Sequence, residues 1–202
     1  MDLNLTKYSH TKTWFLGSEI KKKLLNFVNK EQKYNILEIG CFEGLSASAF
    51  SDNIMDHDLS TLDCVDPFYT SGTVEGITSQ FVNEAVKIRF LHNISNSKNN
   101  RKITFHNETS DSFFEKNTKT FNFIYLDGCH EPGYITRDMT NSFNCLENQG
   151  IMWMDDYGGN TTKDGKINIW MDKWLKTHDG KYKILHKKYQ LAIQKCVTDI
   201  KI

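Results

Sequence analysis

The sequence predicts a single α/β domain on an open, doubly wound, mostly parallel seven-stranded sheet that closes with a C-terminal antiparallel hairpin. Three observations carry this. Short apolar runs alternate with helical patterns along the whole chain, as layered α/β domains require. Those runs are apolar on both faces, the mark of strands covered by helices on each side. The polar residues of interest fall where the runs end, which is where such sheets bind ligands. With 202 residues the chain can bury roughly 70% of its unfolded surface in one core.

Ser18 is placed to cap a helix carrying Ile20, Leu24, Leu25, Phe27 and Val28 at helical spacing, since its hydroxyl can take an early amide. Residues 1–33 therefore read as an N-terminal helical segment packed on a domain of residues 34–202. "YNILEIG" from Tyr34 is the first buried strand, and "CFEGLSASAF" turns into a helix through Gly44. "TLDCVDP" is a second strand closed by Pro67, and a helix from Thr73 to about Asn93 carries Ile77, Phe81, Val82, Ala85, Ile88 and Leu91. A polar loop begins at Asn93, and "ITFHNE" and "FNFIYLDG" are the third and fourth strands. The next helix aligns Ile135, Met139, Phe143 and Leu146 and stops near Gly150, before the fifth strand "IMWMDD". A Gly-rich loop leads to a helix with Ile167, Trp170, Met171, Trp174 and Leu175 on one face, the two tryptophans being core. "KYKILHKKYQLAIQKCV" forms the final hairpin.

Acidic and basic residues balance at 25 each, so no global field favours nucleic acid or an anionic membrane. The lysine clusters Lys21 to Lys23 and Lys187 to Lys188 are short and read as solvated faces. No segment has the length of a signal peptide's apolar core or of a membrane span, so a soluble, cytoplasmic protein is expected. The five cysteines, Cys41, Cys64, Cys129, Cys145 and Cys196, contain no close pair and suggest neither a disulfide framework nor a zinc knuckle. A homodimer through the N-terminal helix or the final hairpin is compatible with the sequence.

"EIGCFEG" resembles a nucleotide-binding turn, and a dinucleotide is the first ligand to test against it. Pyrophosphate needs the spacing G-x-G-x-x-G. Phe42 stands at the second glycine position and Glu43 adds negative charge. S-adenosylmethionine, with no phosphate and a cationic sulfonium, fits an acidic turn better; Gly40 and Gly44 equally suit a purely structural turn. Asp66 can accept from both ribose hydroxyls, or be a turn residue before Pro67. Glu108, Thr109 and Ser110 can border an adenine, with a helix cap at Ser110 or Asp111 the plainer alternative.

From "NILEIGCFEG" through "LDCVDPF", "NETSD", "YLDGCHEPGYITRD" and "GIMWMDDY", residues 34 to 197 resemble the class I S-adenosylmethionine-dependent methyltransferases. Within these they are most similar to the metal-dependent O-methyltransferases of the macrocin O-methyltransferase type. The resemblance implies a Rossmann-like sheet and donor binding by Glu38, Gly40, Cys41, Phe42, Gly44, Ser46, Asp66, Glu108, Thr109, Ser110 and Asp127. In the strand order it implies, Asp127, Asp155 and Asp156 meet at adjacent strand ends. Carboxylates that close repel, and a hard divalent ion, Mg²⁺ or another divalent cation, resolves the conflict. The resemblance assigns the metal to Asp127, Asp155 and Asp156 and the general base to His130, with Asp127 also in the catalytic set; strand-end caps, a solvated turn and a helix cap are the structural alternatives, and His130 can also be a metal ligand.

The implied activity is methyl transfer to a hydroxyl of a small molecule such as a sugar or polyol, with an NAD-linked oxidoreductase, a non-catalytic S-adenosylmethionine-binding module and an RNA or protein methyltransferase as alternatives. Asp138 matches an acidic family position but reads as an exposed helical residue. Pro132 stands where relatives carry a tyrosine, with Tyr134 two residues on, so the acceptor pocket departs from theirs. Trp14, Phe15, Tyr69 and the loop from Tyr157 to Gly165 are candidates to line it.

Overall fold

The computed structural model describes residues 1, 3–68, 79–159, 161–162 and 165–196. Seven strands form one sheet in the order β3-β2-β1-β4-β5-β9-β8. The strands β1 (Asn35–Ile39), β2 (Thr61–Val65), β3 (Ile103–His106), β4 (Phe121–Leu126) and β5 (Leu146–Met154) run parallel. The hairpin of β8 (Tyr182–Lys187) and β9 (Leu191–Lys195) adds antiparallel to β5. The short strands β6 (Thr161–Thr162) and β7 (Gly165–Lys166) make a separate ribbon within the Gly-rich loop.

After β1 the chain steps outward to β2 and β3, then returns to the other side of β1 for β4 and β5. The switch point lies between β1 and β4, where a crevice opens beyond the strand ends. Register does the rest. Ile39 pairs with Val65 and with Leu126, and Leu126 pairs with Met154. Gly40, Asp66, Asp127 and Asp155 are thus the first residues past four adjacent strand ends, in one row.

Two apolar layers cover the sheet. On one face Ile36, Phe123, Tyr125 and Trp153 pack against α3 (Leu45–Ile54) and the N-terminal segment through Phe50, Ile20 and Leu24. On the other, Leu37, Ile124 and Met152 meet α6 (Pro132–Cys145) and α7 (Ile167–Thr177) through Met139, Phe143, Met171 and Trp174. Phe15 is buried, edge-on to Phe50 at 5.9 Å and Tyr125 at 6.3 Å, so it belongs to the core and not to a pocket wall. Trp170 is only half-buried, with Lys173 Nζ 4.0 Å above its ring, whereas Trp174 is buried as expected.

Several boundaries differ from the sequence reading. The N-terminal helix breaks into α1 (Trp14–Gly17), α2 (Glu19–Lys23) and a 3₁₀ turn at Leu24–Asn26. Ser18 does cap α2, accepting from Lys21 N, while Leu25 is exposed. The helix α4 (Ser79–Asn96) runs beyond Asn93, so the polar loop starts later; its expected start and Ile77 lie outside the described residues, as does Tyr69. α5 spans Ser110–Lys116.

The helix expected to reach Gly150 stops at Cys145 because Leu146 already pairs with Phe121 as strand. A two-residue step in β4 is then matched by a five-residue step in β5, from Leu146 to Ile151, and Gln149 takes φ +65°. Bulges of this kind leave extra residues outside the ladder. Among the described residues no helix is long and apolar enough to cross a membrane, and the five cysteines are free.

Candidate active site

The glycine turn follows from its own backbone demands. Gly40 has φ +83° and Gly44 φ +76°, a region that costs other residues a clash between Cβ and carbonyl. Phe42 also sits there at φ +46°, half-exposed and stacked on Trp14 at 5.5 Å. Asp66 holds the turn: Oδ2 accepts from Cys41 N at 2.8 Å and Phe42 N at 3.0 Å, and Oδ1 from Phe68 N at 2.7 Å. Burial raises its pKa, while these three amides work the other way. A carboxylate has about four acceptor positions, so Asp66 anchors its own turn first and has little left for a ribose.

Glu43 does not face the open side of the turn. It is buried beneath the N-terminal strap, accepting from Thr11 N at 2.5 Å and Thr11 Oγ1 at 2.9 Å and pairing with Arg89 at 3.2 Å. Its charge is compensated there, so the acidity that the sequence lends to the turn is absent from the ligand side. Glu38, Cys41 and Ser46 likewise have enclosed side chains. Glu38 accepts from Ser46 Oγ at one oxygen and from Cys64 Sγ at 3.7 Å at the other.

Burial pushes the Glu38 carboxyl up to about 8, against the Ser46 hydrogen bond and with the help of Asp127. Its ordinary value is 4.5, so between those two pH values the folded chain holds a proton that the unfolded chain has lost. Stability therefore falls as pH rises through this window, by on the order of 4 kcal/mol. Glu38→Gln is expected to flatten that fall and to be the more stable protein at pH 8, as read by urea unfolding at a series of pH values. Parallel curves for the two proteins would show that Glu38 ionises as an ordinary glutamate.

At the end of β3, Glu108 binds Ser112 Oγ at 2.7 Å and Lys116 at 2.6 Å. Thr109, not Ser110 or Asp111, caps α5, its hydroxyl accepting from Ser112 N at 3.2 Å. Asp111 instead forms a forked pair with Arg137 at 2.9 and 3.1 Å. Asp138 is buried, contrary to expectation, with its pKa raised to about 6 by burial, against the influence of the nearby Ser110 hydroxyl. It lies three residues after Ile135 and beside Met139, on the inward stripe of α6, and that spacing carried the signal.

Beyond β4 and β5 the acidic groups separate into two sets. His130 Nε2 lies 3.2 Å from Asp156 Oδ2 and 3.9 Å from Asp127 Oδ1, and one donor atom from each of the three falls within 4.8 Å of the others. Asp155 stands beside this trio but gives its oxygens to other donors: Oδ2 accepts from Tyr125 OH at 2.8 Å and Oδ1 from Asp156 N at 2.7 Å. The trio that closes up is thus Asp127, His130 and Asp156, in place of three carboxylates. Tyr125 OH also reaches Asp127 Oδ2 at 3.4 Å; it lies two residues before Asp127 on the same strand face, a relation readable from the sequence.

Burial raises Asp127 to about 7, opposed by the nearby His130 imidazole and reinforced by Asp155 and Asp156. Burial alone would lower His130, but the nearby carboxylates of Asp127, Asp156 and Asp155 outweigh it and raise its pKa. Such a site favours a bound cation and gives the imidazole a strong hold on a proton.

This sheet, with a glycine turn at its switch point and an acidic pocket one strand away, has the layout of a methyltransferase domain. The chain belongs to the methyltransferase-domain family, which matches residues 37–157 and displaces the NAD-linked alternative. No curated protein matches it. Among solved structures it is similar to a Clostridium thermocellum protein assigned as an rRNA methylase, at TM-score 0.65 and 12% identity over 90% of this chain and 96% of that one. The O-methyltransferase TomG of Streptomyces achromogenes, involved in tomaymycin synthesis and in complex with S-adenosylmethionine, gives 0.64 and 11% over 90% and 81%. A Bacillus cereus O-methyltransferase in complex with S-adenosylhomocysteine gives 0.62 and 14% over 88% and 82%. At these identities the likeness is one of fold.

Proposed function

We propose that the protein transfers the methyl group of S-adenosylmethionine to a hydroxyl of a small molecule, such as a sugar or polyol, with the help of a divalent cation. The observation that carries this reading is the meeting of Asp127, Asp156 and His130 within 4.8 Å, one strand from the glycine turn. The O-methyltransferase neighbours support it.

The donor would lie across the turn at Gly40, Phe42 and Gly44, between the ends of β2, β3 and β4, with Glu108, Thr109 and Ser110 along its nucleoside and Asp66 holding the turn. The donor set suits a cation. Ligands in cis positions on a small ion at about 2.1 Å stand roughly 3 Å apart, and a donor atom of Asp127 and one of Asp156 lie within 4.8 Å of each other. Asp127 and Asp156 would hold Mg²⁺ or another hard divalent ion, with Asp155 fixing the backbone of Asp156 from behind. When bound, the ion would supply Lewis acidity that lowers the pKa of an acceptor hydroxyl.

His130 does the rest from the chain's own side. As the acceptor oxygen attacks the methyl carbon, the carbon–sulfur bond breaks and S-adenosylhomocysteine leaves. The hydroxyl proton passes to the His130 imidazole, which would be neutral where a bound cation offsets the charge of Asp127 and Asp156.

Calorimetric titration with S-adenosylmethionine and with Mg²⁺ or Mn²⁺, joined to a labelled-methyl assay on hydroxyl acceptors, tests the reading. Both ligands are expected to bind. His130→Gln is expected to keep both affinities and to lose roughly 100-fold in turnover. Loss of metal affinity in that variant would make His130 a ligand. Donor binding without product on any hydroxyl compound would favour a binding module, and label appearing in ribosomal RNA would overturn the small-molecule reading.

A further inference from the structure

We propose that Tyr189, in the turn of the C-terminal hairpin, is a positioning residue of the active site: its hydroxyl fixes one oxygen of Asp156 so that the other faces His130 and Asp127. The inference rests on the reading of Asp156 as part of the catalytic pocket. Tyr189 lies 33 positions from Asp156, yet its OH donates to Asp156 Oδ1 at 2.7 Å, while Oδ2 faces His130 Nε2 at 3.2 Å. The two oxygens of one carboxylate are thereby divided between two partners. Asp156 has φ +55°, and its amide is tied to Asp155 Oδ1 at 2.7 Å; the tyrosine hydroxyl adds a hold on its side chain.

The surroundings are built for this contact. The Tyr189 ring lies against Gly159, where a Cβ would stand 2.4 Å from both Cε2 and OH of the tyrosine. At Gly158 a Cβ would stand 2.9 Å from Tyr189 Cα, and Gly158 N donates to Tyr189 O at 2.8 Å. Two consecutive glycines thus admit the ring and its backbone. The next residue, Gln190, is fully buried; its Oε1 accepts from Ile20 N at 2.6 Å and Trp153 Nε1 at 3.0 Å, and its backbone N donates to Glu19 Oε2 at 3.0 Å.

The hairpin turn is therefore clamped by the N-terminal helix on one side and by β5 on the other. What it presents at its tip is a phenol left half in solvent. An apolar contact would not need the hydroxyl, and a surface loop would not need a buried glutamine beneath it. Outer-sphere donors of this kind typically change metal affinity by 10–100-fold when removed.

Two variants approach the contact from opposite sides. Tyr189→Phe keeps the ring and removes the hydroxyl; Gly159→Ala keeps the hydroxyl and displaces the ring. Both are expected to weaken Mn²⁺ binding, followed by the electron spin resonance of the free ion, by about 10-fold or more. S-adenosylhomocysteine affinity and Tm are expected to stay at wild-type values, which a merely structural role would not allow. In the metal-free protein, the imidazole NMR signals of His130 are expected to move in Tyr189→Phe, because Asp156 is released. Unmoved signals would overturn the proposal. A wild type that takes up no Mn²⁺ would sink the metal reading, and the imidazole signals would still decide the role of Tyr189.

Discussion

Gly40→Ala is expected to cost about 3 kcal/mol or more in stability and to abolish donor binding. Two effects add. A residue with a side chain resists φ +83° by about 1–2 kcal/mol. The larger effect is contact: the new Cβ would stand 2.1 Å from the carbonyl oxygen of Asp127, 2.5 Å from its carbonyl carbon and 2.7 Å from Gly128 Cα. These are backbone atoms at the end of a central strand, and they cannot swing aside as a side chain can. Asp127 N is itself bonded to Ile39 O at 2.8 Å, so moving it opens the β1–β4 ladder. Gly17→Ala is the control, since no atom lies within 4 Å of its added carbon. Denaturant midpoints for the two variants check the expectation, and equal midpoints would refute it.

Asp127→Ala is expected to separate the two ligands. Divalent-ion binding should fall below detection and turnover by roughly 1,000-fold, the several kcal/mol that Lewis-acid stabilisation contributes converted to a rate. S-adenosylhomocysteine should still bind, because the glycine turn is held by Asp66 and not by this side chain. Folding should survive as well. The carboxylate is crowded by Asp155 and Asp156, and burial already disfavours its charge, so deleting it removes repulsion along with the contacts to His130 and Tyr125. Calorimetry with each ligand decides the matter, and undiminished metal affinity would remove Asp127 from the ligand set.

Much of the candidate site's placement was legible because strand ends are legible. Apolar runs that stop at Gly40, Asp66, Asp127 and Asp155 mark the row that the register later aligns. The signal failed where a side chain's direction depended on a distant partner. Glu43 belongs to the turn by position, yet Thr11 and Arg89 draw it inward. Asp155 follows its strand as predicted, yet it gives an oxygen to Tyr125 beside the cluster that His130 joins. Asp138 was misread for another reason: an isolated aspartate looks like surface until its place on the inward stripe of α6 is counted.

The sequence by itself determined the layered α/β class, the strands in their order along the chain, and which polar residues stand at the strand ends. Side-chain period and turn chemistry are local properties, and they do not need the rest of the fold. Only the tertiary structure decided which oxygens face one another: His130 between Asp127 and Asp156, Asp155 on Tyr125, and Tyr189 brought across from the last hairpin to Asp156. Those choices turn on polar contacts of 2.7 to 3.9 Å between residues up to 33 positions apart, and no local pattern encodes a contact of that length between elements so distant in the chain.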